Sequence, residues 1–594
     1  MRGRVAGASR FRHFGGMRAA FLNIEQSLTG RRWVGPADAD VRMAEAMGQQ
    51  TALPLALCQT LVKRGVAAAE VMAFLAPSLR DLMPDPLVLR DMERAAARFL
   101  VAVKAGQRIA VFADYDVDGG ASAALLIVWL RAMSCAATLY IPDRIDEGYG
   151  PNVPAMAALG AAHDLIICVD CGTLSHEPVA AAGCDVVVLD HHLGGETLPA
   201  AYAVVNPNRQ DETGDLAHLC AAGVVFLMLV EANRQLRAGG VAGPDLMAML
   251  DLVALATVAD VAPLVGVNRA FVRQGLRVMA RRERVGLVAL ADVARMDTAP
   301  TVYALGFLLG PRVNAGGRIG VADLGARLLA TDNAAEAGAM AARLDALNTE
   351  RREIEMQVRL AAMAQAEARG MDGALVWAAG EGWHPGVVGI VAARMKEAAH
   401  RPAVVIGFDG DEGKGSGRSV SGVDLGAAVH RLADEGLIAR GGGHKMAAGL
   451  SLSRAQLEPA MARLADLLTR QGAGTGGRED LRLDGLLMPG AATMGLVEEI
   501  ESAGPFGAGA PAPRFAFADQ AVQARRIGES HLRLTFGDGA RLEAVAFGAF
   551  DGPLGPALMG AGHRRFHLAG RLEINTYAGR SKVQLRLEDA AFAD

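Results

Sequence analysis

The sequence predicts an α/β protein. Its first half reads as a parallel sheet with helices on both faces, followed by a smaller α/β unit and a strand-rich C-terminal module. Three observations carry this. Between Ile109 and Val205, short apolar runs alternate with longer segments, the pattern of strands joined by crossover helices. The runs are bounded and rich in branched residues, so they read as buried strands. Several end in Asp, Arg or His, at the edge where an open parallel sheet exposes its ligands.

Taken in order, residues 36–106 have Ala, Leu and Met spaced for helix packing, interrupted by Pro54, Pro77, Pro84 and Pro86, and read as a supporting layer. Ile109 to Ala113 is the first strand. Asp114-Tyr-Asp-Val-Asp-Gly119 follows it, and Ala121 to Leu130 is long enough for a helix. Thr138 to Ile141 is a strand ending in Pro142-Asp-Arg144, with Gly148-Tyr-Gly150 in the next turn. Leu165 to Val169 ends in Asp170 and Gly172, Asp185 to Leu189 in Asp190-His191-His192, and Ala203 to Val205 in Asn206-Pro207. Asp260 closes Ala256-Thr-Val-Ala-Asp260, just before a turn at Pro263. From Asn333 to Gly370 the chain is rich in Ala, Glu and Arg and lacks proline. Ala334, Leu344, Leu347, Ile354, Val358 and Leu360 lie near helical spacing, predicting one long helix that links two halves.

The second α/β unit, residues 373–470, has strands at Ala374–Trp377 and Pro402–Ile406 and a helix from Gly386 to Arg394. Such helix N-termini favour anions. Gly415-Ser-Gly-Arg418 and Gly441-Gly-Gly-His444 read as glycine-rich loops, either ordinary turns or places of close backbone approach. Gly310 to Arg318, with Arg312, Asn314 and Arg318, reads either as a tight turn or as a phosphate contact. After a short linker from Gly472 to Gly477, five partly alternating segments (Phe515–Phe517, Leu532–Phe536, Leu542–Phe547, Phe566–Ala569 and Val583–Leu587) suggest a small barrel. Its Arg525, Arg526, Arg564, Arg565 and Arg580 either line a track for a nucleic-acid backbone or are simply solvated.

Composition narrows the class. At 594 residues the chain exceeds a single core, and 51% hydrophobic with 21% charged residues fits a globular protein. No apolar run approaches the ~18 residues of a membrane span, and the six cysteines suit a reducing, cytoplasmic setting. A net charge of -5 excludes a uniformly basic nucleic-acid binder but not a local basic groove. Cys168-Val-Asp-Cys171 has no second pair and reads as core. Arg2, Arg4, Arg10, Arg12 and Arg18 belong to a basic arm, a disordered tail, or a leader before a start at Met17.

The chemistry lies in the acids. Asp114, Asp116 and Asp118 alternate, so an extended backbone would aim them one way. Clustered carboxylates repel one another unless a cation neutralises them, and hard divalent ions prefer oxygen ligands. Adding Asp170, His191 and Asp260 gives too many donors for one ion, and two ions roughly 3.5–4 Å apart sharing a carboxylate account for the set. The adjacent His191 and His192 cannot both face one way on a strand, which predicts one as ligand and the other facing substrate or supporting the site.

Asp114-Tyr-Asp-Val-Asp-Gly, the Asp170-Cys-Gly turn and Asp190-His-His, in this order, resemble the DHH phosphoesterase superfamily. Thr257-Val-Ala-Asp-Val-Ala-Pro-Leu264, the Gly310–Arg318 segment, Trp383-His-Pro-Gly386, Gly415-Ser-Gly-Arg-Ser419 and Gly441–His444 narrow the resemblance to the RecJ family, from about residue 50 to the C-terminus. Residues 1–35 read as a tail, disordered in part, and the resemblance implies a DHH catalytic domain with its helical layer over 36–332, a linking helix over 333–370, a DHHA1-like domain over 371–470 and an OB-fold over 478–594. It implies Asp116, Asp118, Asp170, His191 and Asp260 as ligands of two Mn²⁺ or Mg²⁺ ions, with Asp170 bridging, and Asp114, Asp190 and His192 as supporting or substrate-facing groups. Arg144, Arg318, Ser416 and Arg418 would grip a terminal 5′-phosphate, with Arg312, Asn314 and His444 also at the DNA. Two departures stand out: Ala510 where the family pattern has Asn, and Tyr577 where it has Trp.

The activity so implied is 5′→3′ hydrolysis of single-stranded DNA to 5′-mononucleotides by a monomer in DNA repair and recombination, alongside a helicase and a single-strand-binding protein. One rival is a DHH enzyme acting on short oligonucleotides, cyclic dinucleotides or pyrophosphate. It leaves the C-terminal module and the long helix without a purpose. The other rival, a non-catalytic DNA binder with a degenerate site, conflicts with the intact acid and histidine set.

Overall fold

The computed structural model describes residues 19–144, 146–474, 480–577 and 580–593, without the side chain of Tyr577. The arginines from Arg2 to Arg18 and the second half of the predicted linker lie outside these residues. The chain divides into two compact units, Pro84–Ala262 with Phe271–Gly476, and Met1–Met83 with Pro263–Ala270 and Gly477–Asp594. No helix among the described residues is long and apolar enough to cross a membrane.

The larger unit opens on the predicted parallel sheet. Its strands are β1 (Ile109–Ala113), β2 (Ala137–Tyr140), β3 (Leu165–Val169), β4 (Asp185–Leu189) and β5 (Ala203–Val205), in the order β2-β1-β3-β4-β5. Every residue of β1 and β3 is buried, which is why these strands read as unbroken apolar runs. Helix α1 (Val117–Ala132) leaves β1, α2 (Ala221–Ala238) packs on α1, and α3 (Leu250–Ala259) ends at Asp260.

Gly310–Ile319 is helix α4, not the turn its glycines suggest. Gly317 explains why glycine sits in a helix there. A Cβ would meet the carbonyl oxygen of Tyr115 at 2.5 Å, so the residue lets α4 lie directly on the acidic loop. The long helix α5 (Ala334–Arg369) has the predicted span, capped by the Asn333 side chain. It packs against α4 on one side and against the second sheet and its helix on the other.

That second sheet holds β6 (Val376–Glu381), β7 (Ala403–Asp409), β8 (Glu412–Arg418), β9 (Arg440–His444) and β10 (Ala447–Ser453), ordered β9-β10-β8-β7-β6, with helix α6 (Pro385–Ala399) against it. Both glycine-rich stretches read as loops are strands here. At Gly415 a Cβ would press on Ile406 at 2.8 Å, so glycine admits close side-chain packing on the neighbouring strand rather than a turn.

The smaller unit contains the predicted barrel, built from β11 (Phe515–Ile527), β12 (His531–Phe536), β13 (Leu542–Ala546), β14 (Arg565–Tyr577) and β15 (Arg580–Phe592). They are ordered β11-β12-β13-β15-β14, and β14 also pairs with β11 to close the ring. Phe515, Phe517, Phe536 and Phe566 fill its core. Within the predicted tail, the described residues from 19 onward pack on this unit: Trp33 is fully buried, donates from Nε1 to Asp589 at 2.9 Å, and pairs in parallel with Leu481. The helices between residues 38 and 82 belong to this unit, not to the one with the parallel sheet that they were expected to support. Ala56 enters the barrel's core, and Lys63 pairs with Asp484 at 2.9 Å. Ala510 is buried, and the turn is closed by the backbone pair Gly507–Ala510 at 2.9 and 3.1 Å, which needs no polar side chain.

Candidate metal centre

The acids converge where β1, β3 and β4 end. Asp114 follows β1 and is buried, with one carboxylate oxygen lacking any hydrogen-bond partner. Asp116 caps α1, its Oδ1 accepting from the N–H groups of Asp118 at 2.8 Å and Gly119 at 3.1 Å. Asp118 lies in the first helical turn. Its two oxygens accept from Ala221 and Ala222 N–H, at 2.7 and 2.8 Å, at the start of α2. The alternation expected of an extended chain therefore becomes a strand–cap–helix turn, which still gathers the three carboxylates.

Asp170 sits after β3 with φ +60, a left-handed conformation that Asp tolerates better than most residues. It too has a buried oxygen that accepts no hydrogen bond. His191 Nε2 stands 3.3 Å from Asp170, 3.7 Å from Asp118 and 3.9 Å from Asp260. His192 Nδ1 stands 3.8 Å from the same Asp170 oxygen. Both imidazoles thus lie near the acids, although two adjacent histidines on a continuing strand could not face the same way. The strand ends at Leu189, and the chain wraps around Asp190 instead of continuing extended.

Asp190 does not face the pocket. Its Oδ1 accepts from the backbone N–H groups of His191 and His192 and lies 2.9 Å from His192 Nδ1, while Oδ2 accepts from Thr173 N–H at 3.1 Å. Its carboxylate is enclosed and fully engaged, so it is a positioning residue and not a substrate-facing one. Asn206 and Asn208 hold the carbonyls of His192 and His191 at 2.8 and 2.6 Å, and the Tyr149 hydroxyl reaches the Asp170 carbonyl at 3.1 Å. Sequence reasoning left these three without roles. Their signal was present in the Asn206-Pro207 strand end and the Gly148-Tyr-Gly150 turn.

Ligand atoms fall into three groups, each within 4.8 Å: Asp170, His191 and His192; Asp118, His191 and Asp260; Asp114, Asp116 and Asp170. Burial, compounded by the neighbouring carboxylates, raises the protonation of Asp114 and Asp170 far above the ordinary range and that of Asp260 to about 9. Asp118 is also raised by burial, with His191 opposing. Burial is the largest single influence, pushing Asp190 up and His192 down, but their hydrogen bond, their opposite charges and the remaining contacts together outweigh it, leaving Asp190 depressed and His192 raised to about 9. Like charges packed with unpartnered oxygens are unstable alone, and a set of carboxylates with imidazole matches the donor chemistry of Mn²⁺ and Mg²⁺.

A second cluster has the opposite sign. Arg318 Nη1, at the end of α4, donates to Gly386 O at 3.0 Å in the first turn of α6. Arg418 Nη1 donates to Ser416 Oγ at 3.0 Å. A Cβ on Gly389 would lie 3.0 Å from that hydroxyl and 3.2 Å from the Arg418 guanidinium, so glycine brings α6 against both. Arg144 lies over the Tyr115 ring at 5.1 Å. Burial and then the charge of Arg144 lower Arg418, and lower Arg318 to about 10, where Arg351 adds to the effect. His384, which caps α6 and was not singled out from sequence, is lowered by burial and Arg144.

Not every expected residue joins these clusters. Asn314 Oδ1 accepts from Val117 N–H at 3.0 Å and so braces the acidic turn. Arg312 is tied to Asp345 of α5 at 2.8 Å. His444 is exposed at the end of β9. In the barrel, Arg565 is held by Asp519 and Asp538, and Arg526 and Arg564 lie over Phe550 and Phe592. Arg525 and Arg580 are exposed, and Arg525 stands opposite Arg533 across β11 and β12.

Comparison with known proteins places this geometry. Residues 108–257 match the DHH family N-terminal domain, 372–470 the DHHA1 domain, and 483–589 the RecJ OB domain. The chain is 39% identical over 560 residues to the single-stranded-DNA-specific exonuclease RecJ of Dickeya dadantii, covering 90% of this chain and 96% of that one. It is 38% identical to the Escherichia coli protein of the same name, with the same coverage. The crystal structure of RecJ in complex with Mn²⁺ from Thermus thermophilus superposes with a TM-score of 0.78 at 31% identity, over 94% of this chain and 79% of that one. The corresponding Mg²⁺ complex gives 0.73 at 30% identity. With its three domains matched in order and its acids gathered at the sheet edge, the chain belongs to the RecJ family of DHH phosphoesterases.

Proposed function

We propose that this chain is a metal-dependent exonuclease that degrades single-stranded DNA from its 5′ end to 5′-mononucleotides. The observation that carries the reading is the pairing of two like-charged clusters through α4. Its Asn314 touches the acidic turn, and its Arg318 reaches the N-terminus of α6. An acidic pocket suits cations, and a guanidinium seat at a helix N-terminus suits a phosphate.

In this reading Asp116, Asp118, Asp170, His191 and Asp260 hold two divalent cations, with Asp170, common to two of the three donor groups, as the bridge. When bound, such a pair acidifies a water and offsets charge developing on the phosphate in an in-line displacement. Asp114 and His192 stand at ligand distance as well and border the reacting phosphate. His192, oriented by Asp190, donates a hydrogen bond to the phosphate oxygens. Arg144, Arg318, Ser416 and Arg418 seat the terminal 5′-phosphate, and that seat sets polarity because an end must be in place before the next bond reaches the acids. The exposed Arg525 and Arg580 belong to a track on the barrel for single-stranded DNA.

DNA repair and recombination are the expected setting, with a helicase and a single-strand-binding protein supplying the strand and this chain acting as a monomer. Cytoplasmic placement accords with six unpaired cysteines. The test is an end-labelled oligonucleotide incubated with Mn²⁺, Mg²⁺ or EDTA, single- or double-stranded, with either end blocked. Metal-dependent release of mononucleotides from single strands, stopped only by the 5′ block, is the expected result. Rapid hydrolysis of dinucleotides or pyrophosphate with no turnover of the long strand would overturn it in favour of a small-substrate enzyme.

A further inference from the structure

We propose that Tyr303 and Phe307 form a platform on which unpaired bases of the substrate stack, on the 3′ side of the bond that is cut. This rests on the nuclease reading above and adds residues that neither the acids nor the guanidinium seat includes.

The two rings lie 5.0 Å apart at an interplanar angle of 23°. They are 57% and 67% exposed, and among the described residues no other ring pair is exposed on both sides. Isolated exposed apolar residues need no explanation, but two large rings held parallel in solvent present a flat apolar surface. Tyr303 immediately precedes, and Phe307 lies within, a single π-helical turn, Ala304–Leu309, which runs directly into α4. Such turns insert an extra residue and recur at functional sites.

Position argues for the substrate strand. Cβ atoms on Gly306 and Gly310 would lie 3.4 and 3.2 Å from Val258 and Ala259, the residues just before Asp260. Phe307 sits between those two contacts in the chain, so the platform is anchored to the helix end that carries a metal-site acid. Val261, immediately after Asp260, is 70% exposed and has φ +59, a strained conformation for a β-branched residue. Along the helix, the order is Arg318 at the phosphate seat, Asn314 at the acidic turn, then Phe307 and Tyr303. At 1.5 Å per residue, Phe307 stands on the order of 10 Å beyond Asn314. A strand with its 5′-phosphate at Arg318 and its first linkage at the acids therefore continues toward the rings. Aromatic stacking accepts any base and needs it unpaired, so the platform would favour single strands without sequence preference.

The experiment compares wild type, the double variant Tyr303→Ala with Phe307→Ala, and the aromatic-conserving double variant Tyr303→Phe with Phe307→Tyr. Each is assayed with Mn²⁺ on a 5′-phosphorylated long oligodeoxythymidylate and on a 5′-phosphorylated dinucleotide too short to reach the platform. The double-alanine variant should raise KM for the long strand by about tenfold per stacked base lost, with much less effect on the dinucleotide. The aromatic-conserving variant should restore the wild-type value. An unchanged long-strand KM, including the case in which the rings prove necessary only for self-association or for a protein partner, overturns the proposal. An equal loss on the dinucleotide overturns it too, by showing a structural role. A wild type that hydrolyses neither substrate would instead bring down the nuclease reading itself.

Discussion

The acidic centre and the guanidinium seat are built alike and differ in sign. Each gathers buried or partly buried groups of one charge, and each leaves them facing one another. The contrast with ordinary ion pairs in the same unit is instructive. Asp251 and Arg284 are both largely buried, meet at 2.7 Å and neutralise each other. A neutral pair is complete by itself, whereas a like-charged cluster is costly until something of opposite charge arrives. In the proposed reading the two clusters therefore mark where ligands go: cations at one, a phosphate at the other. A substrate whose phosphates meet both is positioned by charge before any base is read.

The most severe way to break the comparison is to remove the shared acid. Asp170→Ala should cost at least about a thousandfold in hydrolysis, since the groups of such a site act as a unit. The same variant should melt no lower than wild type without metal, because it loses a buried carboxylate with an oxygen that accepts no hydrogen bond. Activity assays and thermal melts check both halves. Next in size is the brace. Asp190→Asn removes the charge that orients His192, and loss of such a partner should weaken Mn²⁺ binding by about ten- to a hundredfold, read by titration.

At the opposite cluster, Arg418→Ala should raise KM for a 5′-phosphorylated strand by roughly tenfold, the worth of one charge-assisted hydrogen bond, and hardly change it for a 5′-hydroxyl strand. Equal losses on both substrates would show that Arg418 does not read the phosphate.

The smallest effect is in pH. Asp260 is raised from the ordinary 3.8 to about 9, and Asp114 and Asp170 are raised with it. Groups that bind protons more tightly when folded stabilise the fold fully below their unfolded value and lose that contribution as pH climbs through the folded one. His192, raised from 6.5 to about 9, acts in the same direction. The metal-free protein should therefore melt at steadily lower temperature from about pH 5 to about pH 9, and Mn²⁺ should flatten the slope. A slope unaffected by Mn²⁺ would mean that the titrating acids are not the ones that bind it.

Much of this was legible in the sequence because it is local. Asp114, Asp116 and Asp118 announce themselves beside an apolar run, as do Asp170 and Asp190-His-His after theirs, and a buried parallel strand is written as an unbroken apolar segment. What was not legible depends on partners far along the chain. Nothing near Trp33 indicates that it will pair with Leu481 and bond to Asp589. Glycines misled for a definite reason: their propensity signals turns, but at Gly317 and Gly415 they serve close packing inside a helix and a strand. From the sequence Asp190 could equally support the site or face substrate, and only the donors around it favour the supporting role. Arg312 and Arg565 were candidates by charge, and the acids that occupy them come from distant segments.

The central claim is that the acidic centre holds a pair of cations through Asp170. The most direct test is a Mn²⁺ titration of wild type and Asp170→Ala, followed by calorimetry and by the spin-resonance signal of bound manganese. Two sites with spin coupling between the ions in wild type, reduced to one uncoupled site or none in the variant, is the result this account predicts. A single uncoupled ion in a fully active wild type, or two coupled ions in the variant, would contradict it.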